Sequence, residues 1–407
     1  MRTPPNPTNS HFAVTNDITT DDPVLYLSDD DRYGRLRLIS WWNQERLAGA
    51  KILVVGAGAL GNEVLKNLAL VGIGDLFVID YDTIDDTNLS RSVLFRPRDQ
   101  GKLKVQVARA AIQDLNPDVR VTALAGNVMT DLGLALFKEM DVVIGCLDNR
   151  EARLWVNRCC WKVGTPWVDG GIQEISGVVK VFVPPDSPCY ECGMSEMDYK
   201  LINLKYSCPL LKREDILQGK VPTAPTISSI IAGIQSQEAL KILHGKPVAA
   251  GSGLMFSGET NQVYTSKFQH KPNCLSHESY PDPIDLDVKA EETTLEQLFM
   301  AAKGHLDGDL TLDLDRDLLA RLICRNCDIQ SDIYQPISQV SQKLAACEKC
   351  GEVSETDIVY ALKLEDRFRE RTLVQLGVPP YDIVKVSTTS ESKFFRLAGD
   401  RNRYFED

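Results

Sequence analysis

A glycine-rich turn between an apolar run and a helical segment constrains the fold of this chain more than any other feature. Residues 51–55 (KILVV) form an apolar run typical of a strand buried on both faces of a parallel sheet. Gly56, Gly58 and Gly61 follow with the spacing G-x-G-x-x-G. In such a turn the first glycine permits a tight bend, the second lets the backbone approach a phosphate, and the third lets the helix pack on the strand. Because the helix then directs free N–H groups at an anion, we expect a nucleotide to bind here.

The segments after this turn alternate between strand-like and helix-like patterns. Strands are predicted at 75–80, 119–126, 141–148, 165–171 and 180–185, and helices at 104–116 and 227–243. Residues 32–47 also carry apolar residues at roughly helical spacing. The pattern predicts an α/β fold, with a doubly wound, Rossmann-like domain over residues 32–280.

The two ends of the chain differ from this domain. Residues 1–31 are rich in proline and aspartate, which predicts an acidic and flexible leader. Pro281 and Pro283 lie among acidic residues and mark a linker. Residues 285–407 contain more charge, short strand-like runs and four cysteines. We expect them to form a separate, smaller α+β domain that binds zinc.

The composition argues against several classes of function. Of the 407 residues, 45 are Lys or Arg and 57 are Asp or Glu, and the net charge of −12 disfavours nucleic acid and anionic membranes as partners. No apolar run approaches the roughly 18–20 residues of a membrane span. The N-terminus lacks a basic flank followed by an apolar stretch, so we expect no signal peptide and a cytoplasmic protein. Its 11 cysteines should then be reduced, as metal ligands, a nucleophile or buried residues.

Charged residues near the ends of the predicted strands indicate which nucleotide binds. Asp80 closes the second strand, where an acidic residue binds ribose hydroxyls, as it also does in dinucleotide-binding enzymes. Arg91 and Lys104 add two cations, which suit a polyphosphate. Asp148 ends a later strand and could hold Mg²⁺ through water. The set favours a triphosphate with its metal ion.

These motifs occur in an order that resembles a known superfamily. The ordered set comprises RYGR (32–35), GAGALG (56–61), Asp80-Tyr-Asp82, NLSR (88–91), Lys104, LDN (147–149) and CYEC (189–192). It is similar to the ubiquitin-activating-enzyme superfamily, which includes the MoeB and ThiF activators of sulfur-carrier proteins, and the resemblance covers about residues 32–278. It implies that the chain uses Mg·ATP to adenylate the C-terminal glycine of a ubiquitin-like protein and releases pyrophosphate.

The resemblance also implies roles for individual residues. Carried over by position, the nucleotide site would contain Gly56, Gly58, Gly61, Asp80, Asp82, Asn88, Arg91, Lys104, Asp148 and Asn149. Asp80 would bind the ribose and Asp148 the Mg²⁺ ion, while Asn88 and the two cations would contact the phosphates. Arg35 of RYGR would reach the γ-phosphate of the partner subunit, since the bacterial relatives are homodimers.

Two C-x-x-C motifs near the C-terminus predict a metal site. Cys324 and Cys327 form one knuckle, and Cys347 and Cys350 form the other. Four thiolates at such spacings can surround Zn²⁺ as a closed tetrahedron. A closed site leaves no position for a reacting water, so we expect this zinc to be structural.

A further knuckle lies inside the predicted adenylation domain. Cys189 and Cys192 form a C-x-x-C pair, and MoeB-like relatives combine such a pair with a second one near the end of the domain. Here the corresponding residues are Cys274 and His277. The resemblance therefore implies a Cys₃His zinc site, which is chemically acceptable for zinc.

The remaining cysteines divide between the core and a candidate nucleophile. Cys146, Cys159 and Cys160 lie in apolar or helical segments and are expected to be packed. Cys208 precedes Pro209 in a predicted loop, near basic residues that would favour its thiolate. In members of the superfamily that form thioesters, the catalytic cysteine lies in this crossover segment. A loop thiol without a role, or a sulfur-relay thiol, is the alternative for Cys208.

Four hypotheses follow. In the leading one, the chain adenylates a ubiquitin-like protein, takes it as a thioester on Cys208 and passes it to a conjugating-enzyme homologue. In the second, adenylation leads to sulfur transfer, as in thiamin or molybdopterin synthesis. The third is adenylation of a tRNA base, which the acidic charge disfavours. The fourth is a nucleotide-sensing protein without turnover, which the combination of Arg91, Lys104 and Asp148 disfavours.

Overall fold

Two β-sheets organise the protein, and the computed structural model describes them over residues 31–203, 222–337, 340 and 342–405. The strands of the first sheet are β1 (Lys51–Val55), β2 (Asp75–Ile79), β3 (Arg120–Leu124), β4 (Val142–Gly145), β5 (Trp167–Gln173), β6 (Ser176–Phe182), β7 (Ser252–Ser257) and β8 (Gln262–Lys267). Their order is β3-β2-β1-β4-β5-β6-β7-β8. In this order, the first five strands pair in parallel. The pairs β5–β6, β6–β7 and β7–β8 are antiparallel. This arrangement confirms the predicted α/β fold class.

Helices cover both faces of this sheet. The helices along the same part of the chain are α1 (Gln44–Ala48), α2 (Ala59–Leu70), α3 (Lys104–Leu115), α4 (Leu134–Glu139), α5 (Arg150–Val163), α6 (Glu196–Asn203) and α7 (Pro225–Leu243). Alternate residues of β1 point to opposite faces, as the two-residue period of a strand requires. Ile52 and Val54 pack in one core with α2, α3 and α7, and Leu53 and Val55 pack in another with α4 and α5. Burial on both faces explains the unbroken apolar runs in the sequence.

Local signals set the ends of the helices. Pro225 is the first residue of α7, where its missing N–H costs no hydrogen bond. Gly164 ends α5 with a left-handed backbone (φ 77°). The apolar spacing of residues 32–47 predicted a helix, but these residues do not form a single one. They contain a 3-10 turn at Leu36–Leu38 and then α1, because Asn43 is extended and its side chain caps α1.

The second sheet lies in the C-terminal part of the chain. Its strands are β9 (Ile284–Leu286), β10 (Thr311–Cys324), β11 (Ile329–Pro336), β12 (Glu355–Leu362), β13 (Ile383–Ser387) and β14 (Ser392–Leu397). Their order is β11-β10-β13-β14-β9, and β12 pairs with β10. The helices here are α8 (Leu295–Ala302), α9 (Gln342–Ala345) and α10 (Asp366–Arg369). Apolar residues of α8 and of the strands form a third core.

The second sheet is joined to the first by shared packing. Tyr381, Ile383 and Tyr404 lie in the same core as Leu53, on the face covered by α4 and α5. Gly133, just before α4, has no room for a side chain, because a Cβ there would lie 2.2 Å from the carbonyl oxygen of Tyr381. The two parts of the chain therefore meet through buried side chains. Every helix among the described residues is too short or too polar to span a lipid bilayer.

Candidate active site and metal centres

The three glycines of the turn after β1 meet three different surroundings. Gly56 has a φ of 98°, and a Cβ there would lie 2.5 Å from the carbonyl oxygen of Cys146. A Cβ at Gly61 would lie 2.0 Å from the carbonyl oxygen of Gly56. A Cβ at Gly58 would meet nothing within 4 Å. The first and third glycines are thus required by the backbone, whereas Gly58 borders open space at the N-terminus of α2.

The turn lies at the point where the order of the parallel strands reverses. The strands β2 and β4 flank β1 on opposite sides, so the chain leaves the sheet in opposite directions here. Gly56 follows β1, Asp80 follows β2 and Asp148 follows β4, all at the carboxyl edge of parallel strands. Ligands of doubly wound folds bind in the crevice at this position. The structure therefore brings these predicted site residues to one edge.

Asp80 is held by the backbone of the turn. Its Oδ2 accepts a hydrogen bond from the Ala57 N–H at 2.7 Å, and its Oδ1 accepts one from the Asp82 N–H at 2.8 Å. Burial raises the pKa of Asp80, and the nearby Lys104 ammonium opposes this effect. Each carboxylate oxygen has a second lone pair, so Asp80 can still accept a hydroxyl while it shapes the turn.

Asp82 and Lys104 form an ion pair beside the crevice. Nζ of Lys104 lies 2.6 Å from Oδ2 of Asp82, and the Lys104 backbone N–H donates to the Asp82 carbonyl at 3.0 Å. Lys104 is 8% exposed at the start of α3. An ammonium that is already desolvated and aimed along a fixed direction is well prepared to exchange a carboxylate for a phosphate oxygen.

Asn88 and Arg91 are engaged in local turns. Oδ1 of Asn88 accepts a hydrogen bond from the Asp85 N–H at 3.0 Å, which closes a 3-10 turn. The guanidinium of Arg91 donates to the Thr87 carbonyl at 3.0 Å. Both side chains therefore shape the loop after β2, and in the described structure neither is directed at the glycine turn by a hydrogen bond.

Sequence reasoning missed Asn62, which joins the turn to that loop. Its Nδ2 donates to the carbonyls of Ala57 and Gly58 at 2.8 and 3.0 Å, and its Oδ1 accepts from the Leu94 N–H at 2.9 Å. Asn62 is fully buried. The available signal was a polar residue three positions before Leu65 and seven before Ala69, on the buried face of the helix, where an amide needs fixed partners.

Asp148 and Asn149 link the end of β4 to α5. Oδ1 of Asn149 accepts a hydrogen bond from the Ala152 N–H at 2.8 Å and caps the helix, while Nδ2 of Asn149 lies 3.3 Å from Oδ1 of Asp148. Asp148 is exposed, so its carboxylate is open to a cation. Sequence reasoning also missed the buried ion pair between Arg153 and Asp169, which stands behind this loop with Nε and Oδ1 3.0 Å apart.

The segment that carries Arg35 is anchored at the other end of α2 from the glycine turn. The Tyr33 ring fills the space above Gly72, where a Cβ would lie 2.5 Å from the ring, and its hydroxyl accepts a hydrogen bond from Nδ2 of Asn116 at 2.8 Å. Arg35 itself is exposed. In the described part of the chain it forms no salt bridge with an acidic residue of the crevice.

Cys189, Cys192, Cys274 and His277 converge. Their ligand atoms all lie within 4.8 Å of one another. The Cys189 sulfur is 3.8 Å from that of Cys192 and 3.5 Å from that of Cys274, and the Cys192 sulfur is 3.4 Å from Nε2 of His277. A zinc tetrahedron with Zn–S bonds of about 2.3 Å has edges of about 3.8 Å, whereas a disulfide would need about 2.05 Å. The cluster can hold zinc.

The ring of His277 is fixed by neighbouring aromatic rings. It stacks on Trp161 with a centroid distance of 4.8 Å and lies 4.5 Å from the ring of His270. Burial lowers the pKa of His277, and the His270 ring adds to this effect. The neutral imidazole is the form that binds a metal.

The second cluster joins the two C-terminal knuckles. The ligand atoms of Cys324, Cys327, Cys347 and Cys350 lie within 4.8 Å of one another. The first knuckle is in the hairpin between β10 and β11, and the second precedes β12. Backbone N–H groups at Cys350 and Lys349 lower the pKa of Cys347 to about 7, which favours the thiolate. This cluster can also hold zinc.

Other cysteines are packed or lie outside the described residues. Cys159 and Cys160 are buried and Cys146 is half-buried. Burial raises the pKa of Cys159 to about 12, so this thiol is a poor nucleophile. Cys208, the predicted nucleophile, falls within residues 204–221 and therefore lies outside the described residues.

Comparison with known proteins identifies the family. A model described as "ThiF family" matches residues 31–276. The chain belongs to the ThiF family. This membership confirms the predicted resemblance, and the strands β9 to β14 lie beyond the matched ThiF region.

Several relatives of the ThiF region have established names. The chain is 31% identical over 233 residues to ubiquitin-like modifier-activating enzyme 5 of Dictyostelium discoideum, covering 53% of this chain but only 59% of that protein. It is 32% identical over 260 residues to the molybdopterin-synthase adenylyltransferase of Escherichia coli (strain K12), covering 61% of this chain and 97% of that enzyme. Among solved structures, E. coli MccB is similar, with a TM-score of 0.51 and 26% identity over 62% of this chain and 73% of that one.

Proposed function

We propose that this ThiF-family protein is an adenylyltransferase that uses Mg·ATP to activate the C-terminal glycine of a ubiquitin-like protein. The observation that carries the proposal is the crevice at the carboxyl edge of the parallel strands. Gly58 borders open space there, Asp80 holds the glycine turn and lies close to Lys104, and the exposed Asp148 follows β4. The names of the Dictyostelium and E. coli relatives support the same reaction class.

The reaction requires positioning and charge neutralisation. The attacking carboxylate of a C-terminal glycine is already ionised, so no general base is needed. Asp80 would orient the ribose, and Lys104 and Arg91 would neutralise the departing pyrophosphate, with Lys104 exchanging Asp82 for a phosphate oxygen. Mg²⁺ bound at Asp148 would supply further positive charge. Preorganised charges of this kind lower the barrier of phosphoryl-type transfers.

We also propose a homodimer in which Arg35 acts on the nucleotide of the partner subunit. The support is the position of Tyr33, which anchors RYGR at the C-terminal end of α2, whereas the nucleotide turn lies at its N-terminal end. A helix of 12 residues spans about 18 Å. An exposed arginine at this position is better placed to enter a neighbouring crevice than its own.

For the step after adenylation we propose a thioester on Cys208 and transfer to a conjugating-enzyme homologue. The support is the place of Cys208 between α6 and α7 and the similarity to a ubiquitin-like modifier-activating enzyme. The second candidate is activation of a sulfur carrier. The coverage of 97% of the molybdopterin-synthase adenylyltransferase favours it, because that relative matches over nearly its whole length.

The test of adenylation is ATP–pyrophosphate exchange with ubiquitin-like proteins that end in glycine. Exchange should depend on the partner and disappear when its terminal glycine is removed. Asp148→Ala should abolish exchange, whereas Asp114→Ala, at an exposed position on α3, should not. Both variants should melt near the temperature of the parent protein. Exchange that is absent with every partner, or retained in Asp148→Ala, contradicts the proposal.

The test of the thioester uses Cys208→Ala. If the leading candidate is correct, the parent protein forms an adduct with its partner that a thiol reagent removes, and the variant retains exchange but loses the adduct. An adduct that persists in Cys208→Ala excludes this cysteine. Exchange without any thiol-sensitive adduct favours sulfur-carrier activation.

A further inference from the structure

Two side chains bridge the strands β4 and β5 near the point where these strands separate. The last paired residues are Gly145 and Asp169. Nε2 of Gln235 donates to the carbonyls of Gly145 and Val168, at 2.9 and 3.3 Å. Two residues further along each chain segment, the guanidinium of Arg153 donates to the carbonyls of Leu147 and Gly170. The distance to the Gly170 carbonyl is 2.9 Å. Side chains therefore continue the connection that backbone pairing has ended.

The two bridging residues come from opposite faces of the sheet. Gln235 belongs to α7, which packs in the core that contains Ile52, and Arg153 belongs to α5, which packs in the core that contains Leu53. Space for Gln235 depends on Gly170, where a Cβ would lie 2.3 Å from Oε1 of the amide. The end of β4 is thus held from both sides.

Arg153 is itself fixed by a buried acid. Its Nε lies 3.0 Å from Oδ1 of Asp169, and the two side chains are 16% and 2% exposed. A guanidinium presents its donors in a rigid, planar fork, so a carboxylate on one edge sets the direction of the remaining donors. Asp169 therefore determines where the Arg153 donors meet the Leu147 carbonyl.

The Leu147 carbonyl belongs to the peptide that leads into Asp148. The described structure gives the Asp148 side chain one hydrogen bond, the 3.3 Å contact with Asn149, and the residue is otherwise exposed. Its direction is therefore set by its backbone, which Arg153 holds on one side and the Asn149 cap on the other. A ligand carboxylate whose own side chain is loose needs such support to keep its geometry.

We propose that Arg153, aligned by Asp169 and supported by Gln235, is the positioning residue that fixes Asp148 for the Mg²⁺ of bound ATP. The inference rests on the proposed function, because it assumes that Asp148 receives the metal ion. Arg153 is not placed in contact with the nucleotide. Loss of Arg153 should therefore reduce the gain in nucleotide affinity that Mg²⁺ provides. It should leave the affinity measured without Mg²⁺ almost unchanged.

The experiment measures binding of a non-hydrolysable ATP analogue to the full-length protein by calorimetry, with and without Mg²⁺. The main variant is Arg153→Met with Asp169→Asn, which removes the pair without leaving one buried charge. The matched control is Arg316→Met with Asp382→Asn. Arg316 also donates to two carbonyls and pairs with a buried acid, but at the contact between the two sheets.

In the parent protein and in the control, Mg²⁺ should strengthen binding of the analogue. In the main variant this gain should fall by about 10–100-fold, the usual cost of removing support behind a metal ligand, while affinity without Mg²⁺ stays within about twofold. Hydrogen exchange of the amides in 146–149 should also become faster. If the main variant does not fold, Arg153→Lys carries the same test, because an ammonium keeps the charge but cannot span these acceptors.

An unchanged Mg²⁺ gain in a folded Arg153 variant overturns the positioning role. So does the absence of any Mg²⁺ gain in the parent protein. Failure of the proposed function gives a different result: no pyrophosphate exchange with any ubiquitin-like protein, while the Mg²⁺-dependent binding of the analogue persists and still responds to Arg153. The two ideas can therefore fail separately.

Discussion

Oδ1 of Asp382 accepts a hydrogen bond from the backbone N–H of Leu134 at 2.6 Å, although 248 positions separate the two residues in the sequence. A residue just before β13 therefore satisfies the first turn of α4. Arg316 completes the contact, with its guanidinium 3.3 Å from Oδ2 of Asp382 and 2.6 Å from the Met129 carbonyl. The C-terminal sheet is thus joined to the ThiF region by buried polar bonds in addition to apolar packing.

Asp382→Ala should destabilise the protein. The change leaves the Arg316 charge without its buried partner and removes the cap of α4, so we expect a loss of about 3–5 kcal/mol in the free energy of unfolding. Urea unfolding followed by tryptophan fluorescence measures it. Asp285→Ala is the control, because its pair with Arg396 is more exposed and should contribute less than about 1 kcal/mol. Equal losses in the two variants would contradict this account.

Lys104→Met should weaken binding of ATP. Methionine has neither the positive charge nor the N–H donors of Lys104. We therefore expect at least about a tenfold loss of affinity for ATP, or about 1.4 kcal/mol. Lys102→Met is the matched control, since Lys102 is two residues away, pairs with Asp99 and has a side chain that is 57% exposed. Calorimetry with a non-hydrolysable analogue measures both. If Lys102→Met loses as much affinity as Lys104→Met, the loss reflects the net charge of the protein and not a contact between Lys104 and the nucleotide.

The stability of the protein should respond to pH through Asp80. Because burial raises its pKa above 3.8, the folded chain binds this proton more tightly than the unfolded chain does. Stability contributed by Asp80 is therefore greatest below pH 3.8 and declines as pH rises towards the raised value. Unfolding free energies of the parent and of Asp80→Asn, measured from about pH 4 to 6, should differ in slope with this sign. An identical slope would show that Asp80 is not desolvated.

Removal of metal should affect the two clusters differently. The protein is expected to contain about two zinc ions, and Cys189→Ser and Cys347→Ser should each lose one. Only the first should loosen the contact between the sheets, because Tyr280, close to His277, packs on Phe394 at 4.3 Å and donates its N–H to the Lys162 carbonyl. Zinc analysis and limited proteolysis measure the two effects. Cys159→Ala, a buried thiol outside both clusters, should keep both ions.

The sequence allowed prediction of features whose residues are close together in the chain or share a distinctive spacing. The glycine turn, the end of β2 at Asp80 and the two knuckles at Cys324 and Cys347 are of this kind. His277 was predicted as a ligand as well, because the resemblance pointed to the place where a fourth ligand was needed. Its convergence with Cys274 is now a geometric fact.

Contacts between distant residues could not be predicted. Gln235 meets Gly145 across 90 positions, and hydrophobic periodicity reports that α7 is buried without reporting its partner. Predicted strand ends were also less accurate. The apolar run at 141–148 led to a longer strand than β4, because the chain leaves the sheet after Gly145 to form the Asp148 loop.

The different surroundings of Gly56, Gly58 and Gly61 offer a criterion for classifying homologous sequences. A side chain at the first or third position collides with backbone, so drift there would require a rebuilt turn. A Cβ at the second position meets nothing within 4 Å, so we expect a larger side chain there to extend into the crevice without a collision with the backbone. Members that retain the outer glycines but have acquired a bulky middle residue should therefore be pseudoenzymes, recognisable in an alignment before any assay is performed.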